Sequence, residues 1–239
     1  MIIDFHGHTG MGATADEMLR AMDGAGVDRA CLFNIYHPTG IRANDETAAF
    51  CASHPDRFAG FAFVSPHVPE ADITAELRRA FDDLGMVAIK IYPPYVPWSL
   101  DHERYWPIYR FADDRGLAVI SHTGQEWQGH PKYLSVVAPL FPGARFVSGH
   151  TGNVQPYRGQ ALAAARAYPN VYLETCSTFR TPGVIEELVA EGGADRVLFG
   201  SDIPLMDPRS QIAKVLTADI SEDAKRKVLG ENAARLLRI

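Results

Sequence analysis

Eight short apolar segments recur along the chain at intervals of about 25 to 30 residues, and no other feature limits the fold so tightly. They are Ile2–His6, Arg29–Asn34, Phe58–Val64, Val87–Ile91, Leu117–Ser121, Arg145–Gly149, Val171–Glu174 and Arg196–Gly200. Continuous apolar runs of this kind read as strands buried on both faces. The stretches between them carry helical spacing and end signals. Thr14-Ala15-Asp16-Glu17 is a capping-box pattern ahead of Met18, Ala21, Met22 and Ala25, and Gly24 and Gly26 close that helix. Leu77, Ala80, Phe81 and Leu84 repeat at three and four before Gly85, and Tyr105, Ile108, Tyr109 and Ala112 do so before Gly116. Pro182 opens a further helix that Gly192 and Gly193 close.

Strands alternating with helices of this length predict parallel strands joined by crossovers, either as an open doubly wound sheet or as a closed barrel. Eight strands in 239 residues suit the barrel, which typically takes about 250. The expected architecture is therefore α/β, a single (β/α)8 TIM-type barrel domain over residues 1–239.

Composition narrows the partners. A hydrophobic share of 46% with 22% charged residues is ordinary for a soluble globular protein. The net charge of -6 and the lack of any Lys/Arg run argue against nucleic acid. No segment approaches the roughly 20 apolar residues that span a bilayer, so no membrane partner is expected. Cys31, Cys51 and Cys176 are widely spaced and form no CxxC group, which points to reduced thiols in a cytoplasmic protein rather than to a disulfide framework.

The residues able to do chemistry sit at the ends of these strands. His6 and His8, two apart, place both imidazoles on one strand face about 7 Å apart, where they can chelate one ion. Asp4 shares their parity. His122 follows the fifth segment, His150 the sixth and Asp202 the eighth. Barrel closure brings all these ends to one face, whereas an open sheet would not ordinarily gather strands one, five, six and eight. Imidazole and carboxylate ligands with one position left for water suit Zn(II), with Mn(II) or Fe(II) sharing the preference; no organic cofactor is indicated.

His6-Gly7-His8, His122-Thr123-Gly124, Gly149-His150-Thr151-Gly152 and Phe199-Gly200-Ser201-Asp202 resemble the amidohydrolase superfamily along nearly the whole chain. His54-Pro55-Asp56-Arg57-Phe58-Ala59-Gly60-Phe61 and the terminal Gly230-Glu231-Asn232-Ala233-Ala234-Arg235-Leu236-Leu237 are most similar to the amidohydrolase-related branch that includes aminocarboxymuconate-semialdehyde decarboxylase. The resemblance implies that His6, His8, His122 and Asp202 hold one divalent ion and that His150 is catalytic or a second-site ligand. It also places Lys90, at the end of the fourth strand, where two-metal members carry a carbamylated bridging lysine. Members of the family often pair, so a homodimer is compatible with the resemblance.

A metal-activated water attacking an amide, ester or lactone of a small organic acid is the leading expectation, that is, a metal-dependent hydrolase. Asp202 would take and pass the proton while His150 steadies oxygen charge. The alternative on the same ligands is nonoxidative decarboxylation of an aromatic or unsaturated acid, and a second alternative is a non-catalytic, ligand-binding barrel. Arg180 could hold a substrate carboxylate bidentately, or be a solvated loop arginine. Tyr92 and Trp127, with Tyr95 and Trp98, could wall an aromatic substrate, or simply pack their loops. Glu174 is either inward-facing in the site or a buried carboxylate paired with a neighbour, and Cys176 reads as a packing residue.

Overall fold

In a computed structural model, which describes residues 1–37, 40–177 and 181–239, the apolar segments become eight parallel strands that neighbour one another in chain order. They are β1 Ile3–His8, β2 Arg29–Phe33, β3 Phe58–Phe63, β4 Ala88–Ile91, β5 Ala118–His122, β6 Arg145–Gly149, β7 Val171–Glu174 and β8 Val197–Leu198. The main crossover helices are α1 Ala15–Ala25, α2 Ile41–Ala52, α3 Glu70–Asp82, α4 Trp106–Arg115, α5 Leu134–Leu140, α6 Tyr157–Ala167 and α7 Val184–Gly192, followed by α8 Pro208–Leu216. None of the described helices is long and apolar enough to cross a membrane.

Closure between the first and last strands runs mainly through the chain just beyond β8. Phe5 N–H donates to the Phe199 carbonyl at 2.9 Å, Asp202 N–H to that of His6 at 2.7 Å, and His8 N–H to that of Ile203 at 2.7 Å. The result is a (β/α)8 barrel, and the turn carrying Asp202 is thereby pinned to the strand carrying His6 and His8.

Several boundaries differ from expectation by one or two residues, and those of β1, β8 and α7 have a visible cause. β1 continues to His8 because, after a register shift between Asp4 and Gly7, Gly7 and His8 pair with Leu32 and Phe33. β8 stops at Leu198, before the chain turns into the left-handed conformation of Asp202 (φ 69°). α7 begins at Val184 rather than Pro182, because Gly183 adopts a left-handed φ of 80° at its N-terminus. The start of α1 is as expected: Glu17 N–H donates to Thr14 Oγ1 at 3.3 Å and Thr14 N–H to Glu17 Oε2 at 2.8 Å, a cap worth about 1 kcal/mol.

Each strand divides its side chains between two cores. Within the barrel, Phe5, Phe33 and Phe61 form an aromatic layer with Ile3, Ile120 and Val147; Phe5 and Phe61 meet edge to face at 5.1 Å, and Phe33 stacks on Phe61 at 6.0 Å. Outside it, Leu32, Ile89, Val119 and Phe146 face the helices through Met18, Leu77, Ile108 and Leu188. Phe33 is the member of the inner layer nearest the strand ends, its ring 5.0 Å from that of His6 and 4.7 Å from that of His8. It packs against both imidazoles.

Candidate active site

The C-terminal strand ends open onto a cavity of about 380 Å³ lined by His6, His8, Lys90, His122, His150 and Asp202, with loop residues around them. Hydrogen bonding sets the orientation of the first of these. His6 Nδ1 lies 3.0 Å from Glu174 Oε2, both side chains being fully buried. Glu174 also accepts the backbone N–H groups of His150, at 2.9 Å, and of Cys176. With both carboxyl oxygens already accepting, the ring proton of His6 is assigned to Nδ1, which leaves a lone pair on Nε2.

That Nε2 is buried and has no hydrogen-bond partner among the described residues. An unpaired polar atom in a dry interior is costly, and ligation of an ion relieves it. Asp202 Oδ1 lies 3.6 Å from His6 Nε2 and 2.8 Å from His8 Nε2. The ligand atoms of His6, His8 and Asp202 all fall within 4.8 Å of one another. Two neutral imidazoles and a carboxylate are a donor set that fits a divalent ion.

The backbone is shaped for this convergence. A Cβ at Gly200 would collide with Glu174 Oε1 and come within 2.8 Å of His6 Cβ, so glycine is required where the chain leaving β8 presses on that pair. Asp202 (φ 69°) and His150 (φ 62°) both occupy the left-handed region that ordinary side chains avoid. Asp4 supports the same turn: it accepts the Ser201 N–H at 2.8 Å and the His6 N–H at 3.1 Å, and also binds the Ser201 hydroxyl. The parity that placed Asp4 beneath the ligands left its role open; here it ties β1 to the turn that carries Asp202.

Burial and charge decide protonation. Burial drives His6, His8 and His150 well toward the neutral form, and their mutual repulsion with Lys90 adds to it. Burial acts to raise the Asp202 carboxyl, but the His8 hydrogen bond and the surrounding basic groups, His150 and Lys90 among them, outweigh it and hold the group below the usual carboxylate range. Burial pushes Glu174 up to about 8 against the pull of its two backbone donors. His150 Nδ1 lies 2.9 Å from the Cys176 carbonyl, which can only accept, so its Nε2 carries the lone pair.

His122 and His150 complete a run of imidazoles across the cavity, their rings 4.7 Å apart and that of His150 4.8 Å from His6. His122 stands outside the tight His6, His8 and Asp202 group; its Nε2 lies 3.4 Å from Glu126 Oε2. That contact is the main reason Glu126 is drawn down to about 2. Glu126 escaped the sequence reading, although its position four residues after His122 was the available signal. Tyr36 also lines the cavity and was missed, lying in the loop beyond β2.

The remaining expectations divide. Tyr92 lines the cavity, its ring 4.9 Å from that of His122. Trp127 does not: it sits in a short 3-10 turn, Trp127–Gly129, with 52% of its surface exposed, because that turn directs the indole away from the strand ends. Arg180 lies outside the described residues. Glu174 is the buried, paired carboxylate, and Cys176 is buried with its thiol pushed well above the usual range.

A family model described as amidohydrolase matches residues 3–239. Gamma-resorcylate decarboxylase of Rhodococcus jostii (strain RHA1) is 28% identical, over 83% of this chain and 76% of that protein. Among solved structures, 2,6-dihydroxybenzoate decarboxylase in complex with 2,6-dihydroxybenzoate superposes with a TM-score of 0.82 at 21% identity, covering 100% of this chain and 99% of that one. A 5-carboxyvanillate decarboxylase of Novosphingobium aromaticivorans, solved with bound manganese and 3-methoxy-4-hydroxy-5-nitrobenzoic acid, gives 0.78 at 20% identity over 93% of this chain and 80% of that one. These relatives overturn the expected hydrolysis of an amide, ester or lactone. The physical reason for the error is that the same histidines and aspartate serve hydrolysis and loss of CO2 alike, so the motifs do not choose between them.

Proposed function

This chain belongs to the amidohydrolase family, and from that premise we propose that it is a metal-dependent nonoxidative decarboxylase of a small aromatic carboxylic acid. The observation that carries the reading is the buried, unpartnered Nε2 of His6 beside Asp202, opening onto a cavity of about 380 Å³. That volume lies at the lower end of small-molecule sites and suits a single substituted ring. Tyr36 and Tyr92 supply aromatic walls. The decarboxylase names of the relatives point the same way.

His6, His8 and Asp202 would hold one divalent ion, with His122 contributing from across the cavity. Zn(II) fits these donors, and Mn(II) and Fe(II) share the preference. The chemistry such an ion supplies is Lewis-acid polarisation of a substrate oxygen. Glu174 fixes the ring of His6 through Nδ1 and keeps its Nε2 free to ligate.

The bond between ring carbon and carboxylate breaks, the electron pair remains on the ring carbon, and a proton must reach that carbon. Asp202 is the group in this chain placed to carry it. It rests ionised, so it first collects a proton from solvent, and the carboxylic acid so formed then delivers it to the ring carbon. His150, oriented by the Cys176 carbonyl, presents an unprotonated Nε2 that accepts a hydrogen bond from a ring hydroxyl. Trapped headspace CO2 tests the proposal: metal-loaded protein should release one CO2 per molecule of hydroxybenzoate consumed, and Asp202→Asn should release at least about 100-fold less. Consumption of the acid with no CO2 would overturn the reading.

A further inference from the structure

Among the described residues, the basic groups of the cavity are imidazoles, with one exception. Lys90, on β4, is buried to 1% exposure, and among the described residues that line the cavity it is the only lysine or arginine. Its Nζ lies 4.4 Å from the centroid of the Phe33 ring, which also packs against His6 and His8. The stacking holds the ammonium but satisfies none of its three N–H donors. No hydrogen bond or ion pair to Lys90 occurs among the described residues.

Among the described residues, neither of the two carboxylates whose charge reaches Lys90 forms an ion pair with it. Asp202 Oδ1 is taken by His8 Nε2. Glu174 accepts His6 Nδ1 and the backbone N–H groups of His150 and Cys176. A cation at the wall of a largely buried cavity with no carboxylate paired to it is costly to keep charged, and an arriving anion offsets that cost. The position also fits a ligand contact. β4 directs Lys90 into the same space as His6 and His8, and all three side chains share Phe33.

We propose that Lys90 receives the carboxylate of the substrate and so sets the selectivity of this site for ring acids over neutral phenols. The proposal rests on the decarboxylase reading for its substrate class, but it concerns binding and stands or falls without turnover. It gives Lys90 the role of a free ammonium rather than of a carbamylated bridge between two ions. Loss of the carboxylate as neutral CO2 would also remove the charge that Lys90 holds, which favours release of the phenol.

The test is a calorimetric titration of the metal-loaded protein with 2-hydroxybenzoate and, separately, with phenol, on the wild type and on Lys90→Met. Lys90→Gln serves as the second variant if Lys90→Met does not fold. The expected result is about 30-fold or greater loss of 2-hydroxybenzoate affinity with phenol affinity unchanged within about threefold, the signature of one truncated charge contact. Metal stoichiometry should stay at the wild-type value. Equal affinity for 2-hydroxybenzoate in wild type and variant would overturn the proposal, and so would a drop in bound metal that weakens both ligands together. On the wild type alone, equal affinity for 2-hydroxybenzoate and its uncharged amide would also overturn it. If carboxylate selectivity depends on Lys90 while no CO2 is released, the decarboxylase reading fails and this assignment stands.

Discussion

The 3.0 Å contact between His6 Nδ1 and Glu174 Oε2 joins the first strand of the barrel to the seventh and determines which nitrogen of His6 faces the cavity. The two residues are 168 positions apart, so the contact exists only because the barrel closes. It also explains why Gly200 cannot carry a side chain, since β8 leads straight over the pair. Replacing Glu174 by Gln keeps the volume but exchanges one of the two carboxyl oxygens behind the ring for an amide nitrogen, which cannot accept the N–H bonds now made there. Metal affinity should fall by about 10- to 100-fold while the far-ultraviolet dichroism spectrum is retained. Competition with a chromophoric chelator measures the change.

An ion held by the native cluster and not by the unfolded chain must stabilise the fold by mass action. At a free ion concentration 100 times Kd the gain is about 2.7 kcal/mol. Thermal unfolding of apo and metal-loaded protein should therefore show a raised Tm on loading, and the rise should vanish in His6→Ala.

Phe61 is the middle of the inner aromatic layer, packed on Phe5 at 5.1 Å and Phe33 at 6.0 Å. Truncation to Ala removes ring contacts on both sides and leaves a cavity within the barrel. Denaturant unfolding should show a loss of about 3–5 kcal/mol. Phe33, which supports His6, His8 and Lys90, should shift when its neighbour is lost, so ligand affinity should fall as well.

All three cysteines are buried, and burial pushes Cys51 up to about 12 and Cys31 and Cys176 well above the ordinary thiol range. The thiolate is the reactive form. A colorimetric thiol reagent at pH 8 should find essentially no reactive group in the folded protein and three after denaturation. Rapid modification in the native state would contradict this packing.

Much of the architecture was legible because a barrel repeats one local unit, and each unit announces itself through an apolar run with helix signals after it. The convergence of His6, His8 and Asp202 followed from strand ends alone. What was not legible depended on contacts between distant loops. Whether Trp127 faced the cavity or the solvent turned on a single 3-10 turn. Glu126 gains its meaning from His122, which the four-residue spacing only hints at, and Lys90 from the absence of an ion-pair partner among the described residues, which no linear pattern encodes. Hydrolysis and decarboxylation diverge at the substrate rather than at the ligands, so the motifs could not separate them.

In the proposed reaction the carboxylate of an aromatic acid leaves and a solvent-derived proton takes its place on the ring. The most direct measurement is turnover of a hydroxybenzoate by metal-loaded protein in D2O, with the phenol analysed by proton and deuterium NMR. One deuterium is expected at the carbon that carried the carboxylate, with CO2 formed in equal amount. A product that has gained the elements of water, or a phenol with no deuterium at that carbon, would contradict it.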